Sequence, residues 1–71
     1  MLSATEKITI IRKRKGMQVG DVANAAGMSR QNMSNKLSRN NLQEDDIQKF
    51  ANALGCKAEV IFTDLETGDQ V

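Results

Sequence analysis

The 71-residue chain contains no histidine, no tryptophan and no tyrosine, only one cysteine, and two phenylalanines. Each shortage narrows what it can do. With no histidine to move protons, and with Cys56 flanked by no basic side chain other than Lys57, an enzyme is the least expected class. No catalytic residue is assigned, and a buried structural thiol is the better reading of Cys56. A lone cysteine also leaves no internal disulfide framework, and no ligand cluster suggests zinc or another metal. No apolar run approaches the roughly 20 residues of a membrane span. The N-terminus lacks the apolar centre of a secretory signal, so the expected compartment is the cytoplasm. No cofactor and no small-molecule ligand is expected.

What the chain has is a hydrophobic content of 39% and a lopsided charge distribution. A composition of this kind with so few aromatics suits one compact helical domain, small enough to draw stability from a partner subunit. The net charge is only +1, which by itself speaks against a nucleic-acid partner. Its distribution speaks for one. Residues 1–42 carry eight Lys or Arg against two acids, a balance of +6, and residues 43–71 carry seven acids against two Lys, a balance of −5. One half therefore projects a positive field and the other a negative one.

The positive half holds the most informative stretch, Gln18 to Leu37. Val19, Val22, Ala23 and Ala26 fall at i, i+3, i+4 and i+7, one stripe of a helix. Gly27 follows where a chain leaving a helix needs positive φ, and Ser29 is placed to cap a second helix. Met33 and Leu37 give that helix its inner face. Arg30, Gln31, Ser34 and Asn35 are left outside, and Arg, Gln and Asn are the side chains that match the edges of DNA bases.

This stretch resembles the helix-turn-helix of the lambda-repressor-like (Cro/CI, or Xre-type) DNA-binding domains. Counted from Val19, the small residue at the fifth place is Ala23, the turn glycine at the ninth is Gly27 and the buried aliphatic at the fifteenth is Met33. Val22, Ala26 and Met28 fill the apolar fourth, eighth and tenth places. Lys36 departs from the pattern at the usually apolar eighteenth place, and Leu37 takes over its packing role. Gln18 and Val19 also differ from the polar pair that often opens the first helix of the motif.

The resemblance implies a mainly α fold, a four-helix domain over residues 1–71 with the recognition helix at 29–37. The flanking sequence supplies the other elements. Ser3 to Glu6 reads S-x-x-E, a capping box, opening a helix over 4–15 with Ala4, Ile8 and Ile11 inward and Ile10 beside the C-terminal segment. Its basic end, Arg12 to Lys15, suits the helix dipole and DNA phosphates alike. The second helix spans 18–26, and Gly20 in its first turn implies close packing on the first helix. After a loop anchored by Leu42, three acids, Glu44, Asp45 and Asp46, open a fourth helix over 44–54, whose buried stripe is Ile47, Phe50, Ala51 and Leu54.

Residues 57–63 change character to a β-rich pattern, with Ala58, Val60 and Phe62 inward and Glu59, Ile61 and Thr63 on the other face. A short strand needs a partner. It could be Asp69–Val71 returning through Thr67-Gly68 to pair with Val60–Phe62, or the same segment of a second subunit. The rival is a fifth helix over 57–65.

The functional expectation is a sequence-specific transcription regulator, a repressor in the simplest case, that binds double-stranded DNA as a homodimer through Glu59, Ile61 and Thr63. Arg30, Gln31, Ser34 and Asn35 are expected at bases, with Arg30 able to serve a phosphate instead. Ser29, Lys36, Arg39, Asn40 and Arg14 are expected at phosphates. The other reading is a protein-interaction module, such as an antitoxin of a toxin–antitoxin pair.

Overall fold

A computed structural model describes residues 2–71, with four helices: α1 (Ala4–Arg14), α2 (Val19–Ala25), α3 (Arg30–Ser38) and α4 (Glu44–Ala53). Each helix starts on a polar residue that shares a hydrogen bond with the first turn. Ser3 accepts from the Glu6 N–H, and Ser29 accepts from the Asn32 N–H. At α2 and α4 the bond runs the other way, from the Gln18 and Gln43 backbone N–H groups to the carboxylates of Asp21 and Asp46.

All four helices end in one hydrogen-bond pattern, in which the second residue past the cap donates back to the last turn. Met17 reaches Arg12, Met28 reaches Ala23, Asn41 reaches Lys36 and Cys56 reaches Ala51. This 6→1 closure needs a left-handed residue just before the donor. Glycine fills that place three times, as at Gly27 with φ 76°, but after α3 it is Asn40, with φ 50°. The stretch 38–43, expected as a plain loop, is thus a built helix stop.

The core is made of Ile8, Val22, Ala23, Met33, Phe50 and Leu54, one or more from each helix, with Leu37, Leu42 and Met28 packed partly against it. Phe50, Met33 and Val22 are wholly shielded from water. Burying a side chain of this size stabilises a fold by about 1.5–3 kcal/mol. α2 packs against both α3 and α4, and α1 against α4. Thr5 near the start of α1 donates to Asn40 in the stop of α3, and Lys15 past the end of α1 donates to the Leu54 carbonyl at the end of α4.

Three expectations need correction. The strand over 57–63 does not form, and neither does a fifth helix. The chain instead makes a narrow hairpin with one isolated antiparallel bridge, Thr63 to Gln70. Phe62 and Val71 exchange both backbone bonds, and the Asp64 N–H donates to Asp69. The turn takes up residues 65–68, closed by Gly68 N–H on the Asp64 carbonyl, which moves the return arm two places from the anticipated register. With so short an arm, only three residue pairs can face one another, and the chain returning from the turn ends before it reaches residues 57–61.

The inward placement of Val60 and Phe62 fails with it. They are 56% and 73% exposed, and only Ala58 is half-buried. Ile10 stays on the surface, while Ile8 and Ile11 line the cleft that faces the C-terminal segment.

Candidate nucleic-acid interface

α3 is held from beneath by Met33, fully buried, and by half-buried Leu37, while Ser34, expected outside, is half-buried. Arg30, Gln31, Asn32 and Asn35 stand exposed on its outer side. Asn32 was not among the anticipated contacts. It groups with Asn35, Lys36, Arg39 and Asn41 around a shallow polar depression at the far end of the helix. The spacing of 32, 35, 36 and 39 is itself one helical stripe, a signal present in the sequence once a helix through Ser38 is allowed.

Arg30 leans the other way. A methyl added at Gly20 would meet its Cδ at 3.5 Å and its Cγ at 3.9 Å. The aliphatic stem of Arg30 therefore lies over the first turn of α2. The neighbour facing Gly20 is this arginine, at ordinary contact distance, rather than α1, which corrects the packing role expected from sequence. The contact links the starts of both helices of the motif.

Ser29 is exposed at the mouth of α3 with its hydroxyl oxygen engaged by the Asn32 N–H at 3.1 Å. Beyond α3, Asn40 accepts a hydrogen bond from the Thr5 hydroxyl at 2.7 Å. Its amide nitrogen has no partner among the described residues, so it remains a free donor beside exposed Arg39.

The cations divide into two sets. Arg12 donates to the Met17 carbonyl at 2.8 Å and Lys15 to the Leu54 carbonyl, so both fasten the end of α1. Lys36 is 3.1 Å from Asp46, and Lys57 pairs with Glu59 on the acidic half. Arg14, Arg30 and Arg39, with Lys7, Lys13 and Lys49, are exposed and have no carboxylate partner among the described residues. Asp46 is itself buried. Burial would raise its carboxyl pKa, but the Gln43 N–H, the Lys36 ammonium and the charge of Lys49 together hold it below the ordinary value. Lys36 thus has its charge balanced inside the fold.

A two-helix corner with a buried joint, an exposed polar second helix and unpaired arginines around it has one further support. The family model of the Cro/C1-type HTH DNA-binding domain matches residues 7–64. The chain belongs to this family. The match takes in most of α1, all of α2 to α4 and the outgoing arm of the hairpin, and stops before its turn. Comparison with curated proteins found no match, and comparison with solved structures found none. Within the Cro/C1-type frame, α2 and α3 are the helix-turn-helix. Lys36, where the motif usually has an apolar residue, joins α3 to α4 by charge instead. No helix among the described residues is long and apolar enough to cross a membrane.

Proposed function

We propose that this protein is a sequence-specific DNA-binding transcription regulator, acting most simply as a repressor that covers its operator. The observation that carries the reading is the exposed polar face of α3, set on the half of the chain whose charge balance is +6. A helix presented this way enters the major groove with its N-terminal end toward the bases. Gln31 and Asn35 can each grip adenine at N6 and N7, and Ser34 lies between them on the same helix. Arg30, steered over α2, reaches guanine or the adjoining phosphate. Ser29, Arg39, Asn40 and Arg14 supply phosphate contacts, and Lys36 adds only a minor one because Asp46 offsets its charge.

One such module reads few base pairs, so discrimination requires a homodimer on two half-sites about 34 Å apart. The hairpin supports this. Phe62 spends its backbone groups on Val71, which turns those of Ile61 and Thr63 to the open edge. That edge, with Glu59 beside it, is the proposed subunit contact.

The test is selection of bound duplexes from a random pool, then titration of the winner with salt. A palindromic site and an affinity falling steeply with salt are the expected results. Gln31→Ala should relax preference at one base position per half-site. If no duplex is enriched, while a protein partner binds with an affinity indifferent to Arg30→Ala and Gln31→Ala, the chain is an interaction module of the antitoxin kind.

A further inference from the structure

The stop of α3 leaves few donors for a phosphate. The backbone N–H groups of Arg39, Asn40 and Asn41 are all engaged in closing the helix, bonded to the Asn35, Leu37 and Lys36 carbonyls at 3.1 Å each. A phosphate arriving beside these three residues must be met by their side chains: the charged Arg39 and the neutral amides of Asn40 and Asn41.

The Asn40 amide is held from a distance. A free asparagine amide turns either its oxygen or its NH2 outward, and an outward oxygen repels a phosphate. Thr5, 35 residues earlier in the chain, removes that freedom. Its hydroxyl donates to Asn40 Oδ1 at 2.7 Å, which commits the oxygen to the protein and directs Nδ2 away from α1. The surroundings favour the same sense. Thr5 lies in the first turn of α1, whose free N–H groups form the positive end of the helix dipole and attract an amide oxygen rather than an NH2. The acid of that turn, Glu6, is engaged by the Ser3 hydroxyl at 3.3 Å.

We propose that Thr5 is a positioning residue for DNA binding: from α1 it holds the Asn40 amide with its NH2 toward a backbone phosphate beside the groove. The inference rests on the regulator reading above and brings α1 into a contact otherwise ascribed to the chain after α3. Thr5 itself touches no DNA. Its effect passes through a neutral donor, which displaces no counterion and so leaves no mark on the salt dependence, unlike the charge of Arg39.

The test uses the full chain on the duplex enriched by selection. Thr5→Val keeps the β-branched shape and loses the hydroxyl. It should weaken binding by about three- to tenfold, part of the value of one hydrogen bond to a charged acceptor, with the slope of log affinity against log salt unchanged. Thr5→Ser keeps the hydroxyl and should bind as wild type does. In the Asn40→Gly background, which retains the left-handed backbone and lacks the amide, Thr5→Val should cost nothing further. A merely structural role for Thr5 would weaken both backgrounds alike. Wild-type affinity in Thr5→Val, an equal loss with and without the Asn40 side chain, or a flattened salt slope each overturns the proposal and leaves the regulator reading standing. Circular dichroism checks the fold, and Thr5→Ala carries the same test should Thr5→Val fail to fold. A wild-type chain that enriches no duplex removes the regulator reading itself, and this proposal with it.

Discussion

The Lys36 ammonium and the Asp46 carboxylate, 3.1 Å apart, tie the outer helix of the motif to the start of α4. The same carboxylate oxygen accepts the Gln43 N–H at 3.2 Å, so one buried acid caps α4 and anchors α3. Asp46→Asn removes a charge that both partners depend on. It should cost about 1–3 kcal/mol of stability, measured by urea denaturation near neutral pH.

The same group gives the fold an acid dependence. Its folded pKa lies below its unfolded one, so its contribution is complete above the unfolded value and is lost as pH falls through the folded value. Wild type should therefore lose melting temperature in acid more steeply than Asp46→Asn. Parallel curves for the two proteins would remove this carboxylate from the account.

Salt titrations separate the cations proposed to meet DNA from those that hold the fold. Arg39 is exposed with no carboxylate partner among the described residues. Arg39→Ala should flatten the slope of log affinity against log salt by about 0.9, the share of one phosphate contact. Lys36→Met should leave that slope nearly unchanged and lower stability instead.

Gly20 and Arg30 should behave as a unit. A Cβ at position 20 sits at ordinary contact distance from the arginine stem, so Gly20→Ala should keep DNA affinity. It should also gain up to about 1 kcal/mol in helix stability. A larger side chain has no such room. Gly20→Leu should weaken DNA binding as much as Arg30→Ala does, and the double variant should be no weaker than either, a cycle read by titration.

Ser29 is both a cap and a proposed phosphate contact. Ser29→Ala should cost about 1 kcal/mol. Ser29→Asp should recover that stability, because aspartate caps as well as serine, while its charge repels the DNA backbone. Thermal melts that rise while affinity stays low would show the two roles apart.

Asn40 can be divided in the same way. Its φ of 50° costs most side chains about 1–2 kcal/mol. Asn40→Ala should therefore be destabilising and Asn40→Gly should not. Both lose the amide that Thr5 orients, and both should bind DNA more weakly.

Much of the fold was legible because it repeats locally. The apolar stripes of α2 and α4, the Ser3 and Ser29 caps and the Gly27 corner each follow from residues within one or two turns of one another. The outward placement of Arg30, Gln31 and Asn35 follows from the same periodicity. The role of Gly20, the internal pairing of Lys36, the bond from Thr5 to Asn40 and the emergence of Asn32 beside Arg39 were less accessible. Each involves a side chain whose partner is a neighbour only after the helices pack. The C-terminal arm shows the opposite case: a β-rich composition promised a strand, and a return arm only three residues long leaves most of it unpaired.

The sequence alone determined that this is a helical protein with a helix-turn-helix at residues 18–37 and opposite charge in its two halves, because caps, corners and amphipathic stripes are read within a few residues. Only the tertiary structure decided which arginines stay unpaired, which lysine turns inward and where the hairpin arm pairs. Those outcomes depend on distances between segments far apart in the chain, and no local preference specifies them.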